Sequence, residues 1–159
     1  MAGYVIAQAN MSDLADVTAL FRAYAAGLPV NLGPQGFERE LAELPGAYGP
    51  PQGALLLARG DDGTALGCAA LRPIDDATCE VKRLYVRPRM RGSRLGKALV
   101  GAIIDRAREL RYREIKLDTL EHMQAAIALY RSFGFAPIPP YGTHPYEGLV
   151  CLGKALAPD

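Results

Sequence analysis

Cysteine and histidine are scarce in this sequence, with three Cys and two His in 159 residues. Cys68, Cys79 and Cys151 form an odd set without C-x-x-C spacing, which argues against both a disulfide framework and a zinc site. Two of them lie within apolar, strand-like runs, so buried free thiols in a reducing compartment are expected. Long hydrophobic runs are missing too. No segment approaches the roughly 18 uninterrupted apolar residues of a membrane span, and MAGYVIAQANMSDL has no basic region followed by a long apolar one. The expectation is a cytoplasmic protein with no membrane partner. An excess of either charge is also absent, since 18 Lys and Arg stand against 17 Asp and Glu for a net charge of +1. Overall charge therefore names no partner. Neither G-x-x-x-x-G-K-[ST] nor G-x-G-x-x-G occurs, which argues against the two common nucleotide-phosphate signatures.

What is present is ordinary globular composition, 50% hydrophobic and 22% charged, in a chain expected to form one domain over residues 1–159. A chain of this length buries roughly 70% of its unfolded surface, so its core needs no metal or disulfide. The charge is unevenly placed. Lys82, Arg83, Arg87, Arg89, Arg91, Arg94 and Lys97 make seven of the 18 cations, with no acid between the first and the last. That is a local signal for an anionic ligand inside a neutral protein.

Tyr4 to Ala9 reads as a first strand. Ser12 as N-cap, with apolar residues at Leu14, Val17, Leu20, Phe21 and Tyr24, predicts a helix ending near Gly27. A Gly/Pro-rich stretch with a short helix at Phe37 to Leu44 follows. Ala54 to Ala58 and Thr64 to Leu71 flank a turn at Gly60 to Gly63, and Thr78 to Val86 makes the third strand of a meander. Then the period changes. A helix from Leu95 to Leu110, a strand from Glu114 to Leu120, a helix from Met123 to Phe133 and strands near Phe135 to Ile138 and Leu149 to Leu156 complete the order β-α-α-β-β-β-α-β-α-β-β. Helices on the faces of a mixed sheet are the architecture this order implies.

The stretch RMRGSRLGKALV joins the third strand of the meander to an amphipathic helix. Gly92 and Gly96 let the backbone approach a ligand with no Cβ in the way, and a helix N-terminus offers unpaired N–H groups and partial positive charge. Strand, glycine loop and helix together make a phosphate cradle, and the arginines suit more than one phosphate. Taken alone, the same residues also describe a solvated turn. Downstream, AAIALYRSFGF reads as a helix stopped by Gly134 before a new strand.

A strand ending V-R-P, then R-G-x-x-L-G-x-A-L opening a helix, then A-x-x-L-Y-x-x-x-G-F resembles the GNAT superfamily of acyl-CoA-dependent N-acetyltransferases. The resemblance is strongest from Cys79 to Phe135. It implies an α/β (α+β) fold, a mixed, mostly antiparallel sheet of about seven strands flanked by about four helices. It also implies acetyl-CoA as co-substrate, with no metal. The family loop R/Q-x-x-G-x-G/A falls on Arg91 to Gly96, with Arg94 in the place of the middle glycine. The backbone near Arg91, Gly92, Ser93, Arg94, Gly96 and Lys97 would hold the coenzyme A pyrophosphate. The backbone of Leu84 and Val86 would pair with the pantetheine amides as an added strand would. Met123 stands where many members carry an asparagine. A homodimer is expected by family analogy.

Acetyl transfer to an amine needs a neutral nucleophile, polarisation of the thioester carbonyl and a proton for the departing thiolate. Glu80 matches the position where several family members place a catalytic glutamate, eleven residues before Arg91. A salt bridge to Lys82, two residues on, is its plain structural alternative. Tyr130 matches the family tyrosine that donates a proton to the thiolate, although it also shares a helix face with Met123, Ile127 and Phe133. His122 and His144 read as surface histidines. Asp118 could contact an acceptor amine, with helix capping or a salt bridge as the alternative. Asn31 to Phe37 and Pro137 to Gly148, the latter with Tyr141 and Tyr146, are candidate walls of an acceptor pocket. The leading expectation is acetyl transfer by direct attack of a small-molecule or amino-acid-like primary amine. A protein N-terminus or lysine as acceptor, and a non-catalytic acyl-CoA-binding or sensing domain, are the alternatives. Nucleic-acid binding through the seven cations is disfavoured, because Tyr85 alone interleaves them.

Overall fold

The computed structural model describes residues 3–33, 36–142 and 148–156. Strand β1 (Tyr4–Gln8) leads through a single 3-10 turn into helix α1 (Leu14–Ala26). The side chain capping that turn is Asn10 rather than Ser12: its Oδ1 accepts the Ser12 N–H at 2.9 Å, while Asp13 returns to the Asn10 N–H at 2.9 Å. A reciprocal box of this kind satisfies two helix-start donors at once, which a lone Ser12 cap would not. Helix α2 (Phe37–Ala42) precedes strands β2 (Ala54–Gly60), β3 (Ala65–Pro73) and β4 (Thr78–Val86). Helix α3 (Leu95–Glu109), strand β5 (Glu114–Leu120), helix α4 (Gln124–Ser132) and strands β6 (Ala136–Pro137) and β7 (Leu149–Ala155) complete the chain. Among the described residues this is the expected mixed sheet of seven strands with four α-helices.

The sheet order is β1-β2-β3-β4-β5-β7-β6. Every neighbouring pair is antiparallel except β4 and β5, which run parallel. The central strands are buried on both sides, and for that reason Ala54 to Ala58 reads as a continuous apolar run rather than an alternating one. Leu56 faces one core and its neighbours Leu55 and Leu57 the other. Helix α3 lays Leu95, Leu99, Val100, Ile103, Ile104 and Ala107 on the first face. The spacing is that of an apolar stripe, and each large side chain so buried contributes roughly 1.5–3 kcal/mol. Helices α1 and α2 cover the opposite face with Val17, Leu20, Phe21, Phe37 and Leu41. Gly134 ends the α4 region with a φ of 95°, a left-handed conformation that glycine adopts without strain. Strand β6 is shorter than the predicted Phe135 to Ile138, because Pro137, Pro139 and Pro140 have no N–H to give a ladder.

Candidate active site

Strands β4 and β5 pair only at their starts, Thr78 to Glu80 against Glu114 to Lys116. Beyond Glu80 the two diverge. A bulge in β4 accompanies the divergence: its register with β3 shifts between Cys68 and Ala70, and Arg83 there has a φ of 60°. A bulge adds local twist and bends the strand, which re-aims the residues that follow. Arg83 is held in this conformation from its other end, where Nε and Nη2 donate to the Glu40 carboxylate at 2.9 and 2.8 Å. Tyr24 and Phe37 lie against its guanidinium at 5.7 and 5.4 Å. Strand β5 meanwhile pairs along its whole length with β7. The result is a wedge-shaped pocket between β4 and β5.

Glu80 is wholly buried where β4 still pairs with β5, next to the pocket-lining Lys82 rather than in the lining itself. Its Oε1 accepts from Arg72 Nε at 2.8 Å and its Oε2 from the Tyr141 hydroxyl at 2.8 Å. Lys82 Nζ stands at 4.0 Å, so the ion pair with Lys82 raised by the sequence is present, and Arg72 on the neighbouring strand makes a second and shorter one at 2.8 Å. Burial pushes the Glu80 carboxyl up, but Lys82, Tyr141 and Arg72 together outweigh it and hold the group below its ordinary range. Lys82, 8% exposed, is pushed down by burial, with Glu80 and Asp118 opposing. Lys82, Asp118, Leu84 and Tyr130 all line the pocket. Tyr130 packs edge-on to Phe135 at 5.7 Å, and its burial raises the phenol so that it stays protonated. Asp118 makes no helix cap, since the N-cap of α4 is Met123 and no side chain caps that helix. Tyr141, which bonds Glu80, comes from the predicted wall segment Pro137 to Gly148; Leu32, which lines the pocket, comes from the predicted segment Asn31 to Phe37, and Val30 just before it lines the pocket too. His122 is exposed; His144 and Tyr146 lie outside the described residues.

At the broad end the β5-facing edge of β4 from Val81 to Val86 carries no strand partner among the described residues, while its other edge pairs with β3. Helix α3 begins beside it. Arg94 is the residue before the helix, at a left-handed φ of 69°, and Gly92 is at 84°. Arg91, Gly92, Ser93, Arg94 and Lys97 are exposed and Gly96 is half-buried. The first backbone bond across the helix start runs from the Ala98 N–H to the Arg94 carbonyl at 3.0 Å, so the Gly96 and Lys97 amides lie ahead of it, and no acid occupies the first turn. Such a helix start attracts an anion. Lys82 and Arg83 are turned inward and buried, which removes them from any continuous basic surface for nucleic acid. 

A family model described as the acetyltransferase (GNAT) family matches residues 17–135. The chain is a GNAT acetyltransferase. An uncharacterized N-acetyltransferase of Schizosaccharomyces pombe is 43% identical over 141 residues, covering 88% of this chain and 86% of that one. A Klebsiella pneumoniae structure assigned as an acyl-CoA N-acyltransferase superposes with a TM-score of 0.76 at 29% identity, over 97% of this chain and 98% of that one. The fold is shared with a Salmonella typhimurium acetyltransferase solved with acetyl-CoA, at a TM-score of 0.69 and 23% identity over 99% of both chains. Acetyl-CoA is the co-substrate of this GNAT acetyltransferase. Among the described residues no group of His, Cys, Asp and Glu is arranged to hold a metal ion, and no helix is long and apolar enough to cross a membrane.

Sequence reasoning missed two of the partners of Glu80. Arg72 gave no signal of its own, because its meeting with Glu80 is a cross-strand pairing between β3 and β4 and not a spacing along one strand. Tyr141 was marked only as a pocket wall, whereas Lys82 was named as a possible partner of Glu80.

Proposed function

We propose that this chain, as a single GNAT-like domain over residues 1–159, transfers the acetyl group of acetyl-CoA to the primary amine of a small molecule by direct attack in a ternary complex. The observation that carries the reading is the wedge itself: a buried phenol, Tyr130, and the buried Lys82 line one pocket whose β4 edge has no strand partner among the described residues, and the buried Glu80 carboxylate stands 4.0 Å from Lys82. Leu84 and Val86 on that edge pair by main-chain hydrogen bonds with the pantetheine arm. Arg91, Gly92, Ser93, Arg94, Gly96 and Lys97 hold the pyrophosphate, through the α3 amides and the side-chain cations. The fit is supported by the left-handed turn at Gly92 and Arg94 and by the absence of any acid in the first turn of α3.

Acetyl-CoA supplies an activated thioester. Glu80 draws the proton from the incoming ammonium, which at a pKa near 10.4 arrives charged at neutral pH. Because Arg72 and Tyr141 keep Glu80 ionised, it passes that proton on through water rather than retaining it. Tyr130, kept protonated by burial, gives a proton to the departing sulfur. A thiolate with a pKa near 8.5 leaves partly unaided, so Tyr130 accelerates this step without being indispensable.

Calorimetric titration with acetyl-CoA, coenzyme A and dephospho-CoA tests the donor half of the reading. Micromolar binding is expected for the wild type, lost in Arg91→Glu/Arg94→Glu. No heat at millimolar acetyl-CoA would contradict the assigned cradle.

A further inference from the structure

An amine-acetylating enzyme gains nothing obvious from an ammonium group in its acceptor pocket. The acceptor arrives as a cation, and a fixed positive charge repels it. Yet Lys82 lines the pocket between β4 and β5 at only 8% exposure. Burying an ammonium costs several kcal/mol unless an anion compensates. The nearest anion, Glu80, is 4.0 Å away, and both of its oxygens are already engaged at 2.8 Å by Arg72 and Tyr141. Asp118 lines the same pocket, and Arg83, the other cation there, is bound to Glu40. On the acceptor side the remaining wall is mostly apolar, with Leu28, Val30, Leu32, Leu120 and Leu149.

We propose that Lys82 is a specificity-determining residue that binds a carboxylate carried by the acceptor next to its amine, so that the acceptor class is a free α-amino acid with an apolar side chain. The carboxylate sits on the Lys82 ammonium, while Asp118 and Glu80 attract the α-ammonium before it is deprotonated. The side chain occupies the apolar wall. A plain alkylamine meets the same pocket without the anion and is repelled by Lys82. A peptide N-terminus, whose first carboxyl is an amide, is disfavoured in the same way. The assignment rests on the acetyl-transfer reading above and names the acceptor within it.

The test compares leucine, methionine and phenylalanine with their amides and their decarboxylated amines, by coenzyme A release with wild type, Lys82→Met and Lys82→Arg. Acetyl-CoA affinity, measured for each variant, reports that the fold is intact. The expected result is a kcat/KM for the amino acids roughly 10- to 100-fold above that for the amides in the wild type, the range of one hydrogen bond to a charged group. Lys82→Met brings that ratio close to one, mainly through KM, and Lys82→Arg restores most of it. A wild type that accepts amides or amines as well as amino acids overturns the Lys82 assignment and leaves small-amine acetylation standing. So does a preference that survives in Lys82→Met. If acetyl-CoA binds and none of these compounds is acetylated, the small-molecule reading falls and the Lys82 assignment falls with it.

Discussion

Glu80 shows how one side chain is tuned by its contacts. Burial would protonate it; Lys82, Tyr141 and Arg72 keep it charged. Removing the Tyr141 donor withdraws one of the interactions that favour the carboxylate. Tyr141→Phe is therefore expected to raise the Glu80 pKa and to move the acid limb of the kcat/KM profile to higher pH. The sign carries over to stability. A carboxyl depressed in the folded state stabilises above its unfolded pKa, and that contribution fades as pH falls through the folded value. The variant should lose part of it at neutral pH. Superimposable pH profiles for the two proteins would contradict the role given to Tyr141. At this scale the sequence offered candidates for the chemistry but not their contacts. Glu80 and Tyr130 could be named as candidates because family motifs sit at fixed spacings from them. Arg72 and Tyr141, 8 and 61 residues away along the chain, were not, since no local pattern announces a partner brought by the fold.

Among the elements, β4 decides the site. Its bulge is locked by the bidentate Arg83–Glu40 pair, which ties the strand to α2 while Tyr24 of α1 packs alongside. Glu40→Ala would leave a buried guanidinium without its carboxylate, which costs about 3–5 kcal/mol. The melting temperature should fall by about 10 °C for a chain of this size, and Arg83→Met/Glu40→Leu should recover most of the loss. A shift in Glu40→Ala of less than about 2 °C, as expected of an exposed pair, would show that the clamp does not hold the bulge. Helices and strands themselves were readable from periodicity, with the bounds of β4 and β5 as predicted. The bulge was not, because Lys82-Arg83-Leu84 carries no glycine to mark it. The N-cap was misplaced by two residues, since Asn10 and Ser12 are equally good capping residues and only the Asp13 reciprocal bond distinguishes them.

For the molecule as a whole, sheet order and the wedge follow from which strands meet, and neither is written locally. The meander predicted β2-β3-β4 correctly, but the insertion of β7 between β5 and β6 depends on a long return connection. The cysteines report on the integrity of this assembly. All three are buried, and burial raises the Cys68 and Cys79 thiols to about 12. An aromatic disulfide reagent should titrate no fast thiol in the native protein and three after unfolding. A fast native thiol would mean that the sheet opens readily. The central claim is that acetyl transfer takes place in the wedge between β4 and β5, with Glu80 accepting the proton. The measurement that tests it most directly is kcat/KM across pH for Glu80→Gln, with acetyl-CoA affinity determined on the same protein. A fall of roughly 10²- to 10⁴-fold with the affinity unchanged is the predicted result. Full activity across the pH range would contradict it.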